Sequence, residues 1–300
     1  MTRISHALTG EPWAIRPDYL HHLASLASLD RIERAERRTA EGEAWIRQDL
    51  QAAVGGRAER IEGARYAVRT AEGVAIIPIT GPIFPRANLM TEMSGAVSAT
   101  MLANDLRVAL ADDEIGAIML LVDSPGGSPT GINALADQIY AARPQKRILA
   151  HVTGNAASAA YWIASAAPEL VVEKTGRVGS IGVVAAVSKQ VQPDVSGEMT
   201  FEIVSSGAPN KRPDPESEDG AAEIRAMLDE MEALFVEDVA RGRNVPIAKV
   251  RSEFGQGGMK VGAAAVTAGM ADRVQSYDAS LADLTQAADL RRRTRAARRR

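Results

Sequence analysis

Residues 116–127 read GAIMLLVDSPGG. An apolar run from Ala117 to Val122, stopped by Asp-Ser-Pro-Gly-Gly, is the pattern of a strand covered on both faces and ended by a turn. Two other stretches repeat it: GVAIIPITGPI at 73–83 and RILAHVTGNAAS at 147–158. Helical patterns at 99–112 and 131–142 lie between them, and Phe201 to Val204 reads as a further strand. Strands that alternate with helices from Gly73 to about Val204 predict an α/β fold of repeated βαβ units. Such units make a mostly parallel sheet with its ligand site at the C-terminal ends of the strands.

Downstream, SSGAPNKRPDPESEDG at 205–220 reads as loop, because three prolines and two glycines leave no room for a regular element. A long amphipathic helix over 216–242 and shorter ones over 246–254 and 261–268 follow. Upstream, Trp13, Ile15, Tyr19, Leu20, Leu23 and Leu26 can share one helix face, and a charged stretch over 30–70 reads as solvated helix and linker. The chain thus divides into a mostly helical N-terminal extension (1–70), a main domain (71–276) and a basic C-terminal tail (277–300). Seven of the 35 basic residues lie in the last ten, so the formal charge of −3 hides an acidic body with a basic end. That end suits nucleic acid or an acidic partner protein, and equally a solvated, disordered terminus.

Composition narrows the chemistry. With no cysteine there is no disulfide, thiolate metal site or cysteine nucleophile, and His6, His21, His22 and His151 have no zinc-ligand spacing. No metal or cofactor is expected. Neither the uninterrupted apolar stretch of a signal peptide nor the roughly 18 apolar residues of a membrane span is visible, which predicts a cytoplasmic protein.

The turn GNAAS at 154–158 opens an Ala-rich helix. A serine at the first turn of a helix sits where unpaired N–H groups and the positive end of the dipole favour an oxyanion. The glycines of DSPGG, at a neighbouring strand end, can bring a second N–H donor close to a substrate. Read alone, Ser158 is equally a small residue for tight helix packing, and DSPGG an ordinary turn. A serine nucleophile needs a base, usually histidine and in some enzymes lysine. Three histidines lie in the extension and His151 is only seven residues before Ser158. Of the six lysines, Lys211 is the one held in a Pro/Gly-restricted loop after a strand, although an isolated loop lysine is commonly just an exposed charge.

Six ordered segments, GVAIIPITGPI, LLVDSPGGS, GNAASAAYWIASAA, GRVGSIGVV, SSGAPNKRPD and GMKVGAAAVTAGMADRV, together resemble the signal peptide peptidase A/protease IV family of serine peptidases. The resemblance spans Gly73 to Val274 and implies the Clp protease/crotonase-like fold, with C-terminal helices. It implies Ser158 as nucleophile, Lys211 as general base, Gly127 and Ala159 as oxyanion-hole N–H donors, and Ser180 as a residue orienting the lysine. The Clp subunit uses a histidine downstream of its serine, and this chain has none after His151. The family carries glycines where Ala159 and Ala160 stand, which bears on pocket shape. PWAIRPDYL at 12–20 and APNKRPDP at 208–215 resemble phage and prophage members, implying a capsid-maturation protease that acts on scaffold or capsid proteins as a homo-oligomer. The alternatives are a cytoplasmic peptidase clearing peptides, a crotonase-type acyl-CoA enzyme, and a catalytically dead scaffold protein.

Overall fold

The computed structural model describes residues 14–15, 58–87, 96–187, 192–193, 197, 199 and 201–298. Three parallel strands form the centre: β4 (Val74–Thr80), β7 (Ala117–Ser124) and β9 (Arg147–Ala157). Their side chains alternate between two cores, as a period-2 strand requires. Ile118, Leu120 and Val122 face one core, whereas Ala117, Met119 and Leu121 face the other. Burial on both faces is why these stretches are continuously apolar.

The first core is covered by α1 (Ala99–Ala111), α2 (Ile132–Ala142), α3 (Ala159–Ser165) and the C-terminal half of α4 (Glu218–Arg243). The second is covered by one face of α7 (Tyr277–Arg298), through Leu284 and Ala288. Two short helices, α5 (Ile247–Glu253) and α6 (Gly262–Ala268), complete the C-terminal part. The far edge of β9 is shared: β10 (Glu169–Val172) pairs with its first half, and β11 (Arg177–Gly179) with its last three residues. β12 (Met259–Val261) extends the sheet antiparallel beyond β11, and β13 (Arg273–Val274) runs parallel beside β10. At the other side a hairpin of β2 (Glu59–Arg60) and β3 (Val68–Arg69) adds to β4.

A second, small sheet runs β1 (Ala14–Ile15), β8 (Gly126–Gly127), β5 (Ile83–Phe84), β6 (Val97–Ser98). The helix face expected to begin at Trp13 is therefore interrupted at Ala14–Ile15 by strand pairing to β8. The rest of the expected extension up to residue 57 lies outside the described residues.

Helix ends follow local chemistry. Ser98 caps α1 by accepting from Met101 N, and Ser217 caps α4 by accepting from Gly220 N at 3.0 Å. Asn244, in the left-handed region at φ 53°, ends α4. Phe235 of α4 stacks on Trp162 of α3, with ring centroids 4.5 Å apart and planes 6° from parallel, while Trp162 Nε1 donates to Asp238 at 2.8 Å.

Three expectations change here. The charged stretch read as solvated helix and linker up to residue 70 supplies the β2–β3 hairpin of the main sheet, because Ile61 and Ala67 bury into the first core. Residues 201–204 have no sheet partner, and Phe201 and Ile203 are 76% and 95% exposed, so the β-branched pattern there is an extended segment and not a strand of this sheet. Residues 277–298 are helix, not a loose tail, because Ser280, Leu284 and Ala288 recur on one face and are buried against the sheet. Arg291 and Arg295 tie its basic end to the body through Gln145 and Asp113.

Candidate active site around Ser158

Ser158 stands at the corner between β9 and α3, at the C-terminal edge of the sheet. Its φ of 54° and ψ of −120° lie in a region that residues with a Cβ rarely adopt. The corner is pinned from both sides: Ser158 N donates to Gly179 O at 2.7 Å, and Trp162 N donates to Ser158 O at 2.9 Å. Its hydroxyl approaches Gly182 O at 3.4 Å, and the residue is only 1% exposed. Ala159, the first residue of α3, is fully buried beside it. The N–H groups of a first helical turn have no partner within the helix, so the one at Ala159 is available to an acceptor above the serine.

β8 packs against α3 and brings Gly126 and Gly127 to this corner. A Cβ on Gly127 would stand 1.9 Å from Ile83 O, so only glycine permits this approach of β8 to β5. Ser128 N donates to Ile83 O at 2.9 Å. Since N–H directions alternate along an extended strand, the N–H of Gly127 points to the opposite edge.

Two supports escaped sequence reading, although both lie inside quoted segments. Ser124 Oγ donates to Gly81 O at 2.6 Å and accepts from Gly126 N at 3.1 Å, tying the DSPGG turn to the TGPI turn. Asp123 accepts from Asn155 N at 2.8 Å, and a Cβ at Gly154 would meet its carboxylate at 2.3 Å. The signal was present in the pairing of an Asp at one strand end with a Gly-Asn at the next.

Ser180 is adjacent, at φ 55°, with its N–H donated to Gly258 O at 2.8 Å; its hydroxyl has no partner among the described residues. Lys211 is not brought to this group. It ends a short 3-10 turn, Pro209–Lys211, and is exposed, with no hydrogen bond or ion pair from its ammonium among the described residues. His151 faces the other core, its ring centroid 5.9 Å from that of Tyr277, and Nε2 lies 3.6 Å from Glu173. Burial holds its pKa below the usual imidazole value, and it takes no part at Ser158.

The sequence pattern of peptidase family S49 matches residues 141–291, half of the chain, including Ser158 and Lys211. The chain belongs to peptidase family S49. The Clp protease pattern matches residues 83–174, which include Gly127 and Ser158, and the parallel sheet with its crossover helices is the Clp/crotonase-like fold. Among relatives of this S49 member, the head-tail preconnector protein GP5 of Enterobacteria phage P21 is 30% identical over 210 residues, 69% of this chain and 41% of that protein. Capsid assembly protease C of Escherichia phage lambda is 26% identical over 223 residues, 73% and 50% of the two chains. Protease 4 of Haemophilus influenzae is 26% identical over 205 residues, 64% and 32%. The S49 chain thus spans half or less of the length of these relatives. No described helix of it is long and apolar enough to cross a membrane.

Proposed function

We propose that the chain is a serine endopeptidase with a Ser158/Lys211 dyad, working on scaffold or capsid proteins during phage or prophage head assembly. The observation that carries the chemistry is the strained Ser158 corner, with Gly127 and Ala159 beside it. Strain of one to a few kcal/mol persists only where surrounding structure enforces it, and here two backbone hydrogen bonds do so. In the proposed reaction the Lys211 amine takes the Ser158 proton as Oγ attacks the peptide carbonyl. Lysine acts as a base only as the neutral amine, the form that desolvation in a closed site favours. The oxyanion rests on the N–H groups of Gly127 and Ala159, each such donor being worth about 3 kcal/mol. Lys211 then protonates the leaving amine, water hydrolyses the acyl-enzyme, and no cofactor enters. Ser180, next to the nucleophile, would orient the lysine.

Lys211 is exposed, and no described residue pairs with its ammonium, which favours a working site that takes its lysine from a second copy and an active unit that is a homo-oligomer. Exposed Phe201 and Ile203, on the segment leading to the lysine turn, are the apolar surface such an assembly would cover. The head-assembly role is supported by the names of the phage relatives, and a chain in that role would work in the host cytoplasm or the prohead interior.

A serine-reactive fluorophosphonate followed by intact mass tests the chemistry. One adduct at Ser158, absent from Ser158→Ala and Lys211→Ala, is expected; an unlabelled native chain would favour an acyl-CoA enzyme or a dead scaffold protein. Mixing the two inactive variants with subunit exchange should restore cleavage of a short peptide, and a mixture that exchanges yet stays inactive rules out the shared site. Cleavage of short peptides but of no purified head protein would favour a general peptide-clearing enzyme.

A further inference from the structure

The β8 edge facing away from β5 is occupied by this chain itself. Ala14 lies opposite Gly127 and Ile15 opposite Gly126, antiparallel. That edge is the one to which the Gly127 N–H turns, because Ser128 spends its own N–H on Ile83 of β5. We propose that β1 is an intramolecular occupant of the substrate seat, holding the chain in a self-inhibited state until an extended protein segment displaces it. The inference rests on the peptidase reading above and adds what fills the site when no substrate is present.

The physical argument is competition for one edge. An extended peptide is recognised by a sheet edge through main-chain hydrogen bonds, in which side chains supply specificity only. An edge two residues long, with β5 on its other side, has room for one such strand. The Gly127 N–H cannot serve both a strand carbonyl and a substrate oxyanion with full strength. β1 belongs to the same chain as β8, so its pairing is intramolecular and a free substrate must exceed the local concentration that covalent connection gives it. Two residues of pairing contribute only a few main-chain bonds, each worth about 1 kcal/mol net, so the occupant is displaceable.

The double variant A14P/I15P in the full chain tests this, since proline removes the backbone donor at whichever position faces β8. Two readouts are taken on the same samples: amide hydrogen exchange of the peptide containing Gly126–Gly127, and the rate of fluorophosphonate labelling. The variant should exchange faster at 126–127 with unchanged protection of β4, β7 and β9, and should label about fivefold faster, the factor for one net hydrogen bond. A synthetic peptide of residues 11–18 should slow the variant's labelling again. Unchanged exchange at 126–127 overturns the seat. Faster exchange with unchanged labelling overturns the inhibition. Faster exchange with no labelling of either protein supports the seat and overturns the peptidase reading instead.

Discussion

Gly127 has no room for even a methyl group, since its Cβ would stand 1.9 Å from Ile83 O. Gly127→Ala should therefore displace β8, lowering kcat about a hundredfold, as for loss of one oxyanion donor, and raising KM because the substrate seat moves with it. Steady-state kinetics on a short peptide checks it; a fall in kcat of less than twofold would remove Gly127 from the site. A second residue with an outsized effect is Asp105, a buried carboxylate on α1 that accepts three backbone N–H groups, from Arg65 and Tyr66 at 2.7 Å and from Ala67 at 2.8 Å. Asp105→Ala leaves those donors unmet and should cost about 3 kcal/mol by urea unfolding. Asp105 was invisible to sequence reading because its partners are main-chain atoms some forty positions away. Ser158 and Gly127 were different: each sits at the end of an apolar run, and a run that stops in glycine announces a strand end where chemistry can be placed.

The helix α7 shows how an element can be misread while its neighbours are not. β4, β7 and β9 were readable because burial on two faces leaves an unbroken apolar string. α7 buries only a narrow stripe beneath many arginines, so its composition reads as a charged end. Residues 201–204 failed for the opposite reason: their apolar, β-branched pattern fits a strand, but no described strand pairs with them. Beneath α7 lies His151, fully buried, with both ring nitrogens lacking a hydrogen-bond partner among the described residues. Burial lowers its pKa; Glu173 opposes that shift and Arg273 adds to it. A depressed imidazole pKa means that the unfolded chain binds the proton first as pH falls below about 6.5, so stability falls with acid over that range. Unfolding between pH 7 and 5 should show a loss in the native chain that His151→Leu largely removes. Equal slopes in the two proteins would exclude His151 as the titrating group. Lys146, 5% exposed, behaves in the same sense at higher pH: burial first, then Arg291, brings its pKa down to about 8 while its ammonium donates to Ala109 O and Asp112 O at the end of α1. Above pH 8 the unfolded chain holds the extra proton, so stability should rise toward pH 10.5 relative to Lys146→Met, by an amount on the order of 1 kcal/mol.

Across the whole molecule, the C-terminal half of α4 is fastened at its end to the sheet by an ion pair between a buried arginine and a partly exposed aspartate. Arg243, whose side chain is 6% exposed, meets Asp272 through two contacts at 2.7 and 3.0 Å, and Asp272 also accepts from Leu170 N at 2.6 Å. Asp272→Ala would remove the counter-ion of a buried guanidinium and the acceptor of Leu170 N, and should cost about 2 kcal/mol, read as a lowered urea midpoint. The other half of α4 is held by little. From Glu218 to Leu234 almost every residue is exposed or half-buried, and the buried side chains begin at Phe235, stacked on Trp162 one turn after Ser158. Seventeen residues at 1.5 Å each put the start of the helix about 25 Å from that stack. Mechanically α4 is a boom with its pivot on the helix that begins at Ser158 and its load, the Lys211 turn, just beyond the free end. A tilt of about 10° about such a pivot sweeps the tip through roughly 4 Å at that length. Small changes in packing around Phe235 are thereby geared up into lysine displacements comparable to a hydrogen bond's whole reach.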